Sequence, residues 1–429
     1  MSGPGGLVLS LLLLAGAPRA QAPAPEGKGA AARAADLVNA LLGGLLGGGE
    51  VTGARLQDEV AEAGGVPFRH DVPVAFLGRK ELVAYLHELF DDEYPPALAR
   101  ADERLLQAFD LLPPGTDLRA LRAQVLEENV AGFYDEREDR RRLYAVSEDR
   151  SFSPMNQVVL AHELRHALQD QYADLEAHLG PEVSDFDDRQ IAWTALLEGD
   201  ATLVMERFVR LRLGALAEPA APDEGHAAAL AAPELLDLPG APPVVRDQLV
   251  QPYLAGLAFA RALWERGGAS ALREAWGQPP ESTEQVLHPE KYFARERPVP
   301  VRPAVGPLRG WRLVSEGVLG EVLLRTLLEG GKEAAAGWGG DGWRLWDVSG
   351  RTALAWRSAW DSPADAAEFH AALLGRFARH RRTPAREGWD AFESGSGRRF
   401  AVRRSGDAVE LASADDPAAF ESLLLLAGR

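Results

Sequence analysis

The chain has 429 residues, 46% apolar and 26% charged, enough for more than one core and unlike a disordered composition. A formal charge of −18 argues against a protein that tracks along nucleic acid, which needs a basic face. Cysteine is absent, which excludes disulfides, thiolate metal sites and a lipoprotein anchor, so any bound metal must be held by nitrogen and oxygen.

Residues 7–17 form an apolar run followed by small residues, the layout of a secretory signal peptide over residues 1–24. It predicts export, periplasmic or extracellular. The run is too short to span a bilayer, and no membrane-integral segment is expected once it is removed. Residues 25–50 are rich in Ala, Gly and Pro and read as a leader. The strand-like VPVAFL then leads into helical periodicity through KELVAYLHELFDDEY and ADERLLQAFDLL. VAGFYDEREDRRRLYAVS reads as a β-hairpin, two aromatic and β-branched runs around a polar turn. Ser153 before Pro154 predicts the cap and first residue of a helix reaching about residue 175.

A second helix is expected in IAWTALLEGDATLVMERFVRLRL, and an exposed Ala- and Pro-rich loop over about residues 214–243. Helices resume in VVRDQLVQPYLAGLAFARALWERG, ASALREAW and STEQVLHPEKY, where Ser282 and Gln285 have capping-box spacing. ARERPVPVRPAVGP reads as a linker, which places a domain boundary near Pro300, between residues 51–300 and 301–429. Beyond it, a helix over about residues 316–329 precedes strand-like runs GWRLWDV, TALAWRSAW, DAFES, RRFAVRR and AVELAS. Helical segments after Asp361 and at the C-terminus complete a smaller α+β domain with a mostly antiparallel sheet, so the fold class is α+β throughout. Trp338, Trp343, Trp346, Trp356 and Trp360 at strand spacing predict a core, and RFARHRRTPAR a solvated loop.

The chemistry is concentrated in VVLAHELRHALQDQYADL. On a helix, His162 and His166 lie about 6 Å apart along the axis and about 40° apart around it, so both can reach one ion at about 2.0–2.1 Å. Glu163 points beside that ion, placed to hydrogen-bond a bound water without being a ligand; this is the mechanical content of H-E-x-x-H. A catalytic zinc site needs a third protein ligand. No glycine and third histidine follow closely, which excludes the metzincin continuation and leaves a glutamate from a later helix. Glu198 in TALLEGDATLVM is the candidate. It follows Leu196 and Leu197 on a stretch that should be buried, where an unpaired carboxylate is costly and a cation removes the cost. Gly199 costs about 1 kcal/mol against alanine inside a helix, unless close packing against the histidine helix demands it. Asp200 and Asp170 are candidates to orient the histidines, although Asp200 lies about 200° around the helix from Glu198 and either could be a solvated charge. His70, His87, His178, His226, His370 and His380 have no partner spacing and read as surface or core residues.

These motifs resemble the gluzincin-type zinc metallopeptidases, and within them a secreted bacterial group with sequences like HELRHALQDQ followed by LLEGDAT. The resemblance is strong over residues 130–202 and looser over STEQVLHPEKY and GWGGDGWRLW. It implies a zincin-like, mostly helical catalytic domain, one zinc per chain held by His162, His166 and Glu198, Glu163 as general base, and a peptide or protein substrate. RRLYAVS would then take the position where such enzymes pair with an extended peptide. A donor for the developing oxyanion is also required, and His288 and Tyr292 in LHPEKY are the candidates. The alternative is a non-catalytic exported binding or structural protein in which the metal staples two helices. The C-terminal domain or the leader could also restrain the site as a pro-segment.

Overall fold

The computed structural model describes residues 52–129, 132–147, 154–175, 186–212, 241–329 and 331–427, with residues 152, 184 and 214. The expected signal peptide and leader, Ser153 and nearly all of the loop after Gly214 lie outside the described residues. Twelve helices and two sheets are described, and the α+β class holds.

The N-terminal region begins with α1 (Gly53–Gly64), capped by the Thr52 hydroxyl on the N–H of Arg55. A small sheet follows from β1 (Val74–Leu77), β2 (Gly132–Asp135) and β3 (Arg142–Val146), with α2 (Arg79–Glu93), α3 (Pro96–Ala108) and α4 (Leu118–Asn129) between its first two strands. The expected hairpin is β2 and β3, antiparallel with Tyr134 opposite Leu143. β3 is the central strand, with β1 parallel on its other side. The expectation that RRLYAVS pairs with a peptide is therefore overturned: both of its main-chain edges are taken, and β1 and β2 are the strands at the edges.

The long helix α5 (Pro154–Ala173) packs on β2 and β3, α6 (Asp188–Arg212) packs against α5, and α7 (Pro243–Gly277) packs along α6. α7 breaks at Gly267 and Gly268, the second in the left-handed region at φ 59°, which separates the two helices read from the sequence. Residues 157–170 of α5 are buried on every side. A helix in that position is ordinarily apolar all round, yet Gln157, His162, Glu163, Arg165, His166, Gln169 and Asp170 are all buried here. Each needs a partner, because an unpaired buried polar group costs on the order of 2 kcal/mol and a charge more.

Gly199 does mark a close approach, but to a different helix. A Cβ there would lie 2.0 Å from the carbonyl of Gly256, so α6 and α7 touch backbone to backbone. The histidine helix is not the neighbour that demands the glycine.

α8 (Thr283–Leu287) and α9 (Pro289–Ala294) lead into an extended segment that does not swing free. Val299 donates to the Gly339 carbonyl at 2.7 Å, and side chains at Gly340 or Gly342 would strike the carbonyls of Val299 and Val301 at 2.1 and 2.2 Å. Then come β4 (Arg312–Gly317), α10 (Gly320–Leu328), β5 (Trp338–Val348), β6 (Arg351–Trp360), α11 (Pro363–Phe377), β7 (Arg381–Thr383), β8 (Asp390–Glu393), β9 (Arg399–Ser405), β10 (Ala408–Ala414) and α12 (Pro417–Leu426). The seven strands form one antiparallel sheet in the order β4-β5-β6-β10-β9-β8-β7. The helix expected over residues 316–329 is shorter, because its start is β4 and Gly320, at φ 77°, separates strand from helix. The basic run is not a solvated loop: Arg376, Arg379 and His380 converge on Asp110 at the end of α3, and Arg381 to Thr383 are an edge strand.

Period-two alternation divides the sheet. Trp343, Leu345, Leu354, Trp356, Phe400, Val402, Val409 and Leu411 face one way, into a core that also holds Leu89, Phe109, Ile191 and Val245. Ala353, Ala355, Ala401, Ala412 and Ala414 face the other way, where small side chains admit α12 through Phe420 and Leu423. All five tryptophans named above are buried core residues. The larger cluster runs without a break across residue 300.

The junction is polar as well. Asp188, the first residue of α6, accepts from the N–H and hydroxyl of Thr283 at 2.9 and 2.5 Å and lies against Gly320, where a Cβ would be 1.8 Å from its Oδ1. Asp341 of β5 accepts the Leu319 and Gly320 N–H groups, each at 2.8 Å, and caps α10.

Candidate metal centre

α5 brings His162, Glu163 and His166 to one place, and α6 sets Glu198 opposite. His162 Nε2 lies 3.0 Å from His166 Nε2 and 3.1 Å from Glu198 Oε2, and His166 Nε2 lies 3.6 Å from the same oxygen. Three ligands of a tetrahedral ion at 2.0–2.1 Å stand about 3.3 Å from one another, so this triangle fits a small divalent cation. All three residues are at most 1% exposed.

The electrostatics agree with that fit. Burial pushes His162 below its ordinary value despite Glu198 beside it. For His166, burial is the largest single influence and acts downward, but the charge and hydrogen bond of Glu198 with the Glu163 charge and the Gln169 hydrogen bond together outweigh it and bring the imidazole to about 8. Burial would raise Glu198, yet His166 and His162 hold it at about 2. A carboxylate kept ionised in a dry interior is a place for positive charge.

Glu163 is fully buried, and its Oε2 accepts the Tyr134 backbone N–H of β2 at 3.0 Å. The carboxylate expected to act as base is thus fixed by the sheet edge. Asp170 does not orient a histidine. It accepts from the Tyr134 hydroxyl at 2.7 Å and the Leu175 N–H at 3.0 Å and forms an ion pair with Arg141, whose Nε lies 2.9 Å away, which pins the hairpin to α5. Asp200, far from being a solvated charge, is fully buried, paired with Arg165, and reached by Gln169, whose Oε1 is 2.8 Å from His166 Nδ1.

The expected oxyanion donors are engaged elsewhere. His288 bonds the Glu321 carboxylate at 3.1–3.2 Å, and the Tyr292 hydroxyl donates to the Gln278 carbonyl at 2.8 Å. At the centre stands Tyr253 of α7, which the sequence reading missed. Its ring stacks on His162 at 6.2 Å, its hydroxyl bonds Glu198, and burial with the Glu198 and Glu163 charges holds the phenol well above its ordinary value. Its one sequence signal is its position one helical turn before Gly256, the residue that admits α6. Gln169 was more accessible to reasoning, since it lies three residues after His166 on the same helical face.

A second acidic group, Glu284, Glu296 and Asp361, already holds a cation: Lys291 Nζ lies 2.6, 2.9 and 2.7 Å from the three carboxylates. Among the described residues no helix is long and apolar enough to cross a membrane.

Residues 311–424 match a family model described as "Domain of unknown function (DUF8575)". The match begins just before β4 and ends within α12, so it covers the large sheet and none of the candidate metal centre. No curated protein and no solved structure matches the chain.

Proposed function

We propose that the chain is a zinc-dependent peptidase of the gluzincin type, with His162, His166 and Glu198 as ligands and Glu163 as general base. The observation that carries this reading is the convergence of two imidazole nitrogens and one carboxylate oxygen beside a second, separately anchored carboxylate. Imidazole and carboxylate donors favour zinc among the divalent ions. Bound there, zinc would supply Lewis acidity for hydrolysis of a peptide bond.

The chain's own residues supply the rest. Glu163 takes the proton of the attacking water on the oxygen turned from Tyr134 and returns it to the departing amine. The Tyr134 N–H keeps that carboxylate in one orientation, so no rotamer search precedes transfer. Tyr253 keeps its proton at any ordinary pH and can turn from Glu198 to a substrate oxygen as negative charge grows on it. The apolar run at residues 7–17 adds export to the proposal.

The near-complete burial of every ligand favours one competing reading, a structural metal that staples α5 to α6. Metal content and peptide-library cleavage of the wild type, Glu198→Ala and Glu163→Gln separate the two. The peptidase reading expects about one zinc per chain, lost in Glu198→Ala and kept in a cleavage-dead Glu163→Gln. Zinc without cleavage in the wild type leaves the staple, and a metal-free wild type removes both.

A further inference from the structure

We propose that Gln169 and Asp200 are positioning residues: a buried carboxylate orients a neutral amide, and the amide holds His166 with Nδ1 protonated and the Nε2 lone pair turned to the metal position. This rests on the metal reading above.

Asp200 lies on α6 two residues after Glu198, and an ionised carboxylate can only accept. Its Oδ2 receives Arg165 Nε at 3.0 Å, Trp276 Nε1 at 3.1 Å and Gln169 Nε2 at 2.8 Å, and its Oδ1 receives the Arg165 terminal nitrogen at 2.9 Å. The same Gln169 nitrogen also reaches the Leu197 carbonyl at 3.1 Å, so both amide hydrogens are committed. Only Oε1 is left for His166, 2.8 Å from Nδ1. The opposite amide orientation would press its oxygen against the Asp200 carboxylate and the Leu197 carbonyl, two groups that cannot donate. Nδ1 of His166 must therefore carry the proton, and a neutral imidazole so arranged offers its lone pair at Nε2. That is the atom facing His162 and Glu198.

Transmission through an amide has a physical consequence. A carboxylate placed directly on His166 would add a full negative charge to a centre that already contains Glu198 and Glu163. Here that charge stays behind the amide, matched by Arg165, whose guanidinium lies 4.8 Å above the Trp276 ring. The relay also ties α5 to the backbone carbonyl next to Glu198, so one side chain orients His166 and sets its distance from the carboxylate ligand. It serves one histidine only: His162 Nδ1 has no hydrogen-bond partner among the described residues.

Gln169→Met keeps the length of the side chain and removes its hydrogen bonds. Zinc affinity of the full chain, measured by competition with a chromophoric chelator, is expected to fall about 10- to 100-fold. Wild-type affinity in a variant whose metal-free form melts at a lower temperature would make Gln169 mere helix glue and overturn the proposal. The second measurement needs no variant: nitrogen-15 histidine NMR of the metal-free wild type at alkaline pH should show His166 as the Nδ1–H tautomer, and the Nε2–H tautomer overturns the relay. A wild type that binds no zinc defeats the metal reading instead, and the tautomer still decides the relay by itself.

Discussion

Tyr253 illustrates how a residue acquires a role from its surroundings alone. A phenol buried against Glu198 and Glu163 cannot ionise, so donation is the chemistry left to it. If it serves the oxyanion, Tyr253→Phe lowers kcat about 100-fold on a peptide the wild type cleaves, with KM little changed and zinc content intact. A KM effect alone would place it in substrate binding. His162, Glu163 and His166 were legible in the sequence because helical geometry depends only on local spacing. Glu198 was legible because a lone carboxylate among leucines calls for a cation. His288 and Tyr292 stood out for the converse reason: a polar, aromatic stretch at a helix end looks functional before its partners, Glu321 and Gln278, are seen.

At the scale of elements, Gly199 sets two effects against each other. Alanine is favoured over glycine in a helix by about 1 kcal/mol, so propensity predicts that Gly199→Ala stabilises. A methyl group 2.0 Å from the Gly256 carbonyl carbon and oxygen meets rigid backbone, and forcing α6 from α7 should cost about 3 kcal/mol or more. The contact should win, with a lower melting temperature and weaker zinc retention as Glu198 and Tyr253 move apart. A more stable Gly199→Ala would mean that the two helices do not touch there. The sequence announced that something came close to Gly199 but not what, since a close approach has two partners and only one was visible. β3 was misjudged for a related reason: edge or centre is a property of the sheet, set by β1 more than sixty residues earlier.

At the scale of the whole molecule, the large sheet and the candidate metal centre are joined through one core and one polar junction. Burial raises Asp188 to about 8, above an unfolded value near 3.9, and Asp341 nearby is raised to about 6. The folded state therefore holds the Asp188 proton that the unfolded chain releases. The stability this confers is complete below about pH 4 and is lost as pH rises towards 8. Asp188→Asn cannot ionise and keeps an oxygen for Thr283, so its melting temperature relative to wild type should climb from pH 5 to pH 9. A pH-independent difference would show that Asp188 is charged throughout.

Local patterning alone determined the α+β class, the hairpin, the histidine helix, most strands of the large sheet and the choice of His162, His166 and Glu198, which the fold brings together. These follow from periods of two and 3.6 residues and from the cost of burying charge. Tertiary structure alone decided which strand is the edge, which helix touches Gly199, that Lys291 fills the second acidic cluster, and that Tyr253, Gln169 and Asp200 surround the centre. Those choices depend on contacts between residues far apart in the chain, and hydrophobic burial, which brings them together, has no direction of its own.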